Sequence, residues 1–147
     1  MLKALGFGLL LLAASTGGAA ADNMCGDDPI APLIPSVADM KSKPPQEAAS
    51  SRHSAFLEVR RWQGELKSYR QCLSATVSTD KRKLGEGQRS DKPDKTKLEK
   101  LQAEIEDTSR AFDSSVDEEE SIVNDFHAAQ VAYCTRSDVD RTPCPKM

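Results

Sequence analysis

The stretch Ala55-Phe56-Leu57-Glu58-Val59-Arg60-Arg61-Trp62-Gln63-Gly64-Glu65-Leu66-Lys67-Ser68-Tyr69-Arg70-Gln71-Cys72-Leu73 places apolar residues at Ala55, Val59, Trp62, Leu66, Tyr69 and Leu73. The steps alternate four and three. That is heptad spacing, the pattern of a helix that lays one stripe against a partner helix. It predicts a helix over 47–77, fraying by about residue 80 where the β-branched run Thr76-Val77-Ser78-Thr79 loosens it. Gly64 is a weak spot worth about 1 kcal/mol relative to alanine. Gly85 and Gly87 are expected to stop the helix, inside a polar loop over 84–93.

The partner helix lies downstream. Leu98, Ile105, Phe112, Glu119, Phe126 and Tyr133 are each seven apart, with a second row at Leu101, Thr108, Ser115, Ile122 and Ala129. The phase holds throughout, which predicts one long helix over 95–135. Thr96-Lys97-Leu98-Glu99 fits a capping box at its start. The polar positions Thr108, Ser115 and Glu119 suggest a weak or solvated middle. The expected fold is all-α, an antiparallel, coiled-coil-like two-helix hairpin turning near residue 88, with Leu66 and Ile105 both inward. A turn at Ser114-Ser115 would instead give a three-helix bundle, the alternative fold. Charge favours the hairpin. Residues 47–77 hold five basic and three acidic side chains, net +2, and residues 101–134 hold one basic and nine acidic, net −8. Such complementarity sets partner and orientation more than stability.

Ahead of the hairpin, residues 22–46 carry Pro29, Pro32, Pro35, Pro44 and Pro45. This spacing predicts an extended, polyproline-like arm. Ile30, Leu33, Ile34 and Val37 give it apolar side chains to bury. Residues 136–147 form a short tail with Pro143 and Pro145.

Residues 1–21 read as a cleaved secretory signal peptide. Lys3 gives the positive start, Leu5 to Ala14 the apolar core, and Ala19-Ala20-Ala21 the small-residue cleavage site. The apolar run is shorter than the ~20 residues a spanning helix needs. The expected mature chain begins near Asp22 and does not span a membrane. It carries 19 basic and 23 acidic side chains, net −4, a balance that argues against a nucleic-acid partner. The expected location is exported, periplasmic or extracellular.

Four cysteines in an exported chain imply disulfides. The expected pairs are Cys134–Cys144 and Cys25–Cys72. The first closes a short local loop. For the second, the arm from Cys25 to Glu47 can reach about 68 Å if polyproline-like, and Glu47 to Cys72 is about 38 Å of helix. The arm can therefore run back along the helix. In a straight hairpin Cys72–Cys134 would be separated by about 45 Å of helical rise. In a three-helix bundle that pair becomes the natural one, leaving Cys25–Cys144.

Candidate functional residues are few. Residues 78–100 would form the hairpin tip and hold eight basic side chains against five acidic, net +3. Lys81, Arg82, Lys83, Arg89, Lys92, Lys95 and Lys97, followed by Lys100, are candidates for contact with an anionic surface. The run Asp117-Glu118-Glu119-Glu120 points around the helix axis, so its carboxylates do not converge on a cation. His53 and His127 lack helical metal-ligand spacing and read as surface or flanking residues. No G-x-S-x-G elbow, phosphate loop or C-x-x-C pair occurs, so no catalytic, cofactor or metal residue is assigned.

Trp62 with Tyr69-Arg70-Gln71-Cys72-Leu73 resembles small exported helical proteins that inhibit lysozyme, which carry a tryptophan, a Tyr-Arg pair and a cysteine along one helix. The likeness is confined to this one helical stretch. Trp62 stands seven residues before Tyr69 and Cys72 two after Arg70, spacings that differ from the family's. The resemblance illustrates one role and transfers no site residue. The expected function is a non-enzymatic envelope protein acting through contacts with an envelope protein, an anionic polymer or a second copy of itself. The alternative is an inhibitor or regulator of a cell-wall hydrolase, with the tip or the arm as a wedge.

Overall fold

The computed structural model describes residues 24–144. The proposed signal peptide lies outside them. Among the described residues three helices form: α1 (Val37–Ser42), α2 (Pro45–Gln88) and α3 (Lys95–Cys134). The protein is all-α, and α2 and α3 pack antiparallel as a long hairpin. The pairs Phe56/Phe126, with ring centroids 6.3 Å apart, and Gln63/Glu119, joined by a 2.8 Å hydrogen bond, both centre on residue 91. The turn therefore falls in residues 89–94 and not at 88. α3 runs unbroken through Ser114-Ser115, so the turn that would make a three-helix bundle does not form.

The shift of the turn follows from α2, which continues through both glycines that were expected to end it. A helix tolerates glycine at a cost near 1 kcal/mol, and here the neighbours offset it. At Gly87 a side chain could not fit as the helices stand: a Cβ would lie 2.7 Å from Leu98 Cδ2. Glycine at this position permits a close approach of the two helices. The start of α3 also differs in detail. Its cap is Asp94, whose Oδ1 accepts from Lys97 N at 3.1 Å, and the Thr96–Glu99 box is not the cap.

The expected inward stripe is the core of α2: Ala55, Val59, Trp62, Leu66, Tyr69 and Leu73 are all buried. Ile105 is buried on α3, as are Ala129, Ala132 and Tyr133. Full burial of a residue such as Leu66 is worth roughly 1.5–3 kcal/mol.

The arm runs back along α2, but it is not extended throughout. Ser36 and Asp39 form a capping box and start α1, which the proline spacing did not suggest. Pro45, read as part of the arm, is the first residue of α2, where its missing N–H is no loss. Two disulfides fix arm and tail. Cys25–Cys72 has Cα atoms 5.5 Å apart, and Cys134–Cys144 has them 5.8 Å apart. Between those anchors Trp62 Nε1 donates to the Pro29 carbonyl at 3.0 Å. At the base of the hairpin Met40 is completely buried with Ala48, Ala129, Ala132 and Tyr133, and Ile34 packs against that cluster. Arg136 Nη1 donates to the Met40 and Lys43 carbonyls, and Tyr133 Oη donates to the Asp140 carbonyl. The tail thereby clamps α1.

Candidate functional site

Two surfaces stand out, one at each end of the covered length. The first is the tip. Lys81, Arg82 and Lys83 lie on the last turns of α2, Arg89 caps it, Lys92 is in the turn, and Lys95 and Lys97 open α3. The fold brings Lys83, Lys92, Lys97 and Lys100 around one open groove of about 630 Å³, together with the carboxylates Glu86, Asp94 and Glu104 and with Leu98 and Leu101 in its lining. Lys81, Arg82, Arg89 and Lys95 are not part of that lining. Several of the charges are partnered: Lys83 with Asp80 at 2.8 Å, Arg82 with Glu86 at 2.8 Å, and Lys100 with Glu104 at 3.7 Å. The Asp94 carboxylate caps the start of α3 and offsets its positive dipole end, so the positive charge there comes from Lys95 and Lys97 themselves.

The second surface is the arm. Ile30 is 92% exposed and Leu33 90% exposed, although both sit on a backbone tied down on either side. The sequence marked these residues as apolar side chains that the arm would bury, and the structure turns them outward. The partner that packs inward is Ile34.

Between the two surfaces lies a polar network that the heptad reading placed in solvent. Ser115 is completely buried. Arg70 Nε donates to Ser115 Oγ at 2.8 Å, and Arg70 also reaches the Ser115 carbonyl. Arg70 Nη1 pairs with Glu119 Oε2 at 2.5 Å, and Gln63 Nε2 donates to the other carboxylate oxygen at 2.8 Å. The hydrogen bond from Arg70, helped by Gln63, holds the Glu119 carboxyl below the usual carboxylate range. Asp28, at the arm's start, is shifted the other way: desolvation raises it, and the Arg70 charge opposes this in part. The network crosses from α2 to α3 and favours this register, in which Ser115, Glu119, Gln63 and Arg70 satisfy one another. A sequence signal was present in the unlike polar residues Arg70, Ser115 and Glu119, each on an apolar row or beside one. Their pairing required the true turn position.

His53 and His127 are both exposed. Among the described residues no three His, Cys, Asp or Glu side chains are grouped to hold a metal ion, and no helix is long and apolar enough to cross a membrane. No family model, curated protein or solved structure matches this chain.

Proposed function

We propose that this is a non-enzymatic exported protein that works by contact, with its basic hairpin tip directed at an anionic polymer of the cell envelope. The observation that supports it is the groove at the turn, where Lys83, Lys92, Lys97 and Lys100 outnumber Glu86, Asp94 and Glu104 around Leu98 and Leu101. Lysines on a rigid rod tip attract a polyanion over about a Debye length, near 8 Å at physiological salt. Two disulfides and a signal-like leader fit an oxidising compartment. Co-sedimentation with a purified anionic wall polymer tests the reading. Binding should fall steeply with salt and be lost in Lys92→Glu/Lys97→Glu, and binding that ignores both would refute it.

A second reading, regulation of a cell-wall hydrolase, draws on the arm. An anchored segment with Ile30 and Leu33 projecting has the form of a wedge. Inhibition of a purified wall hydrolase by the oxidised protein, abolished by Ile30→Ser/Leu33→Ser, is the outcome that would favour it.

A further inference from the structure

We propose that residues 29–36 are a preformed polyproline-II recognition edge that docks into an apolar, basic-rimmed groove of another exported protein. The inference rests on the contact reading above but on a different surface from the tip.

Exposure along the arm repeats every third residue. Ile30, Leu33 and Ser36 are exposed, while Ala31, Pro32, Ile34 and Pro35 are half-buried. Pro29, Pro32 and Pro35 share the same spacing of three, and Ser36 has φ −68° and ψ 159°. A polyproline-II helix has three residues per turn and rises about 3.1 Å per residue, so Ile30 and Leu33 stand on one edge about 9 Å apart.

That edge cannot turn inward to hide its side chains. Upstream it is held by Cys25–Cys72 and by Trp62 donating to the Pro29 carbonyl. Downstream it is held by Ile34 on the base cluster and by buried Met40, whose carbonyl Arg136 clasps. The ordering cost that usually weakens peptide recognition is therefore met within the fold.

The shape of the edge selects its occupant. It is convex and two side chains wide, so its complement is concave, a groove with two pockets about 9 Å apart. A symmetric second copy would set ridge against ridge and leave Ile30 and Leu33 without pockets to enter. Asp27 and Asp28 precede the ridge, whereas Asp39 beyond it is bonded to Ser36 and followed by Lys41 and Lys43, so the acidic end is the upstream one. Its carboxylates repel an anionic bilayer and favour a groove rimmed by Lys or Arg.

A photo-crosslinker at residue 33 of the full oxidised protein, with a control at exposed Arg61, is irradiated in envelope extract. The species captured from position 33 alone is identified, purified and titrated. Ile30→Ser/Leu33→Ser should weaken its binding at least a hundredfold, since each buried side chain is worth roughly tenfold to a hundredfold. Asp27→Lys/Asp28→Lys should weaken it and lower its salt dependence. Because both pairs of side chains are exposed, the fold should survive, as circular dichroism would check. Removing the Cys25–Cys72 link should cost affinity even though Ile30 and Leu33 remain. Capture of a second copy of this chain, equal capture from Arg61, or binding to phosphatidylglycerol vesicles that needs Ile30 and Leu33 would each overturn the proposal. So would an identified partner whose affinity ignores the double serine variant. Lys92→Glu/Lys97→Glu, titrated alongside, should leave partner binding intact, which separates this edge from the tip.

Discussion

The half of the hairpin under the arm and the half that runs on to the turn are made from the same repeat, yet they bury it differently. In the covered half, α2 buries Ala48, Ala55, Val59, Trp62, Leu66, Tyr69 and Leu73. Beyond Leu73, α2 buries only Asp80, and no residue over 81–104 is buried. Leu84, Leu98 and Leu101 continue the apolar rows but remain half-buried. Two helices touch along a line and leave the flanks of each stripe wet. The third layer supplied by the arm, α1 and tail is what closes the core around Trp62 and Met40.

The largest test of this contrast is a pair of truncations. Trp62→Ala removes a side chain that is 1% exposed and should cost about 3–5 kcal/mol in urea denaturation. Leu101→Ala, on the bare half, should cost about 1–2 kcal/mol, in proportion to the area it hides. Equal losses would mean that the arm adds nothing to burial.

Next come the crosslinks. Cys25→Ser/Cys72→Ser opens a link of sequence separation 47 and should cost about 4 kcal/mol. Cys134→Ser/Cys144→Ser opens one of separation 10 and should cost about 3 kcal/mol. Hydrogen exchange sharpens the comparison. Without Cys25–Cys72, protection should fall over 55–73 and stay unchanged over 95–104. Loss spread evenly along both helices would break it.

A smaller effect separates two glycines. A Cβ at Gly64 meets nothing within 4 Å, so Gly64→Ala should stabilise the protein by about 1 kcal/mol. At Gly87 the same gain is set against the 2.7 Å approach to Leu98, so Gly87→Ala should fall below Gly64→Ala in thermal denaturation. If the two variants gain equally, the helices are not in close contact at the tip.

The smallest effect is acid sensitivity in the polar network of the covered half. Glu119 has its folded pKa depressed by Arg70 and Gln63. Its contribution is present above the unfolded value of about 4.3 and is lost as pH falls through the lower folded value. Asp28 works in the opposite sense, since its raised folded pKa penalises the charged form and the penalty disappears on acidification. Glu119→Gln should therefore flatten the acid limb of a stability–pH curve, and an unchanged limb would show that the pair does not couple to folding.

Much of this was legible from the chain alone. The bounds of α3 are within a residue of those the heptads predict, because a strict period over forty residues leaves no room for a break. Pairing of the cysteines followed from reach: a polyproline-like arm is long enough to return to Cys72, and a straight helix keeps Cys134 far from it. What was missed depended on neighbours distant in sequence. α2 passes through Gly85 and Gly87, with Leu98 of α3 against Gly87, and Ser115 is buried where Arg70 meets it. The basic candidates divide in the same way. Their charge was plain, but which of them face one groove depended on where the turn fell.

The sequence by itself marked the two long helices and favoured their antiparallel pairing and the two disulfides over the three-helix alternative, since period, charge and chain reach are local or one-dimensional quantities. Only the tertiary structure decided the register, the burial of Trp62 beneath Pro29, and the outward facing of Ile30 and Leu33. A three-residue repeat has three edges that are equivalent until a surface touches one of them. The contact of Ile34 with the base cluster and the crosslink at Cys72 make that choice.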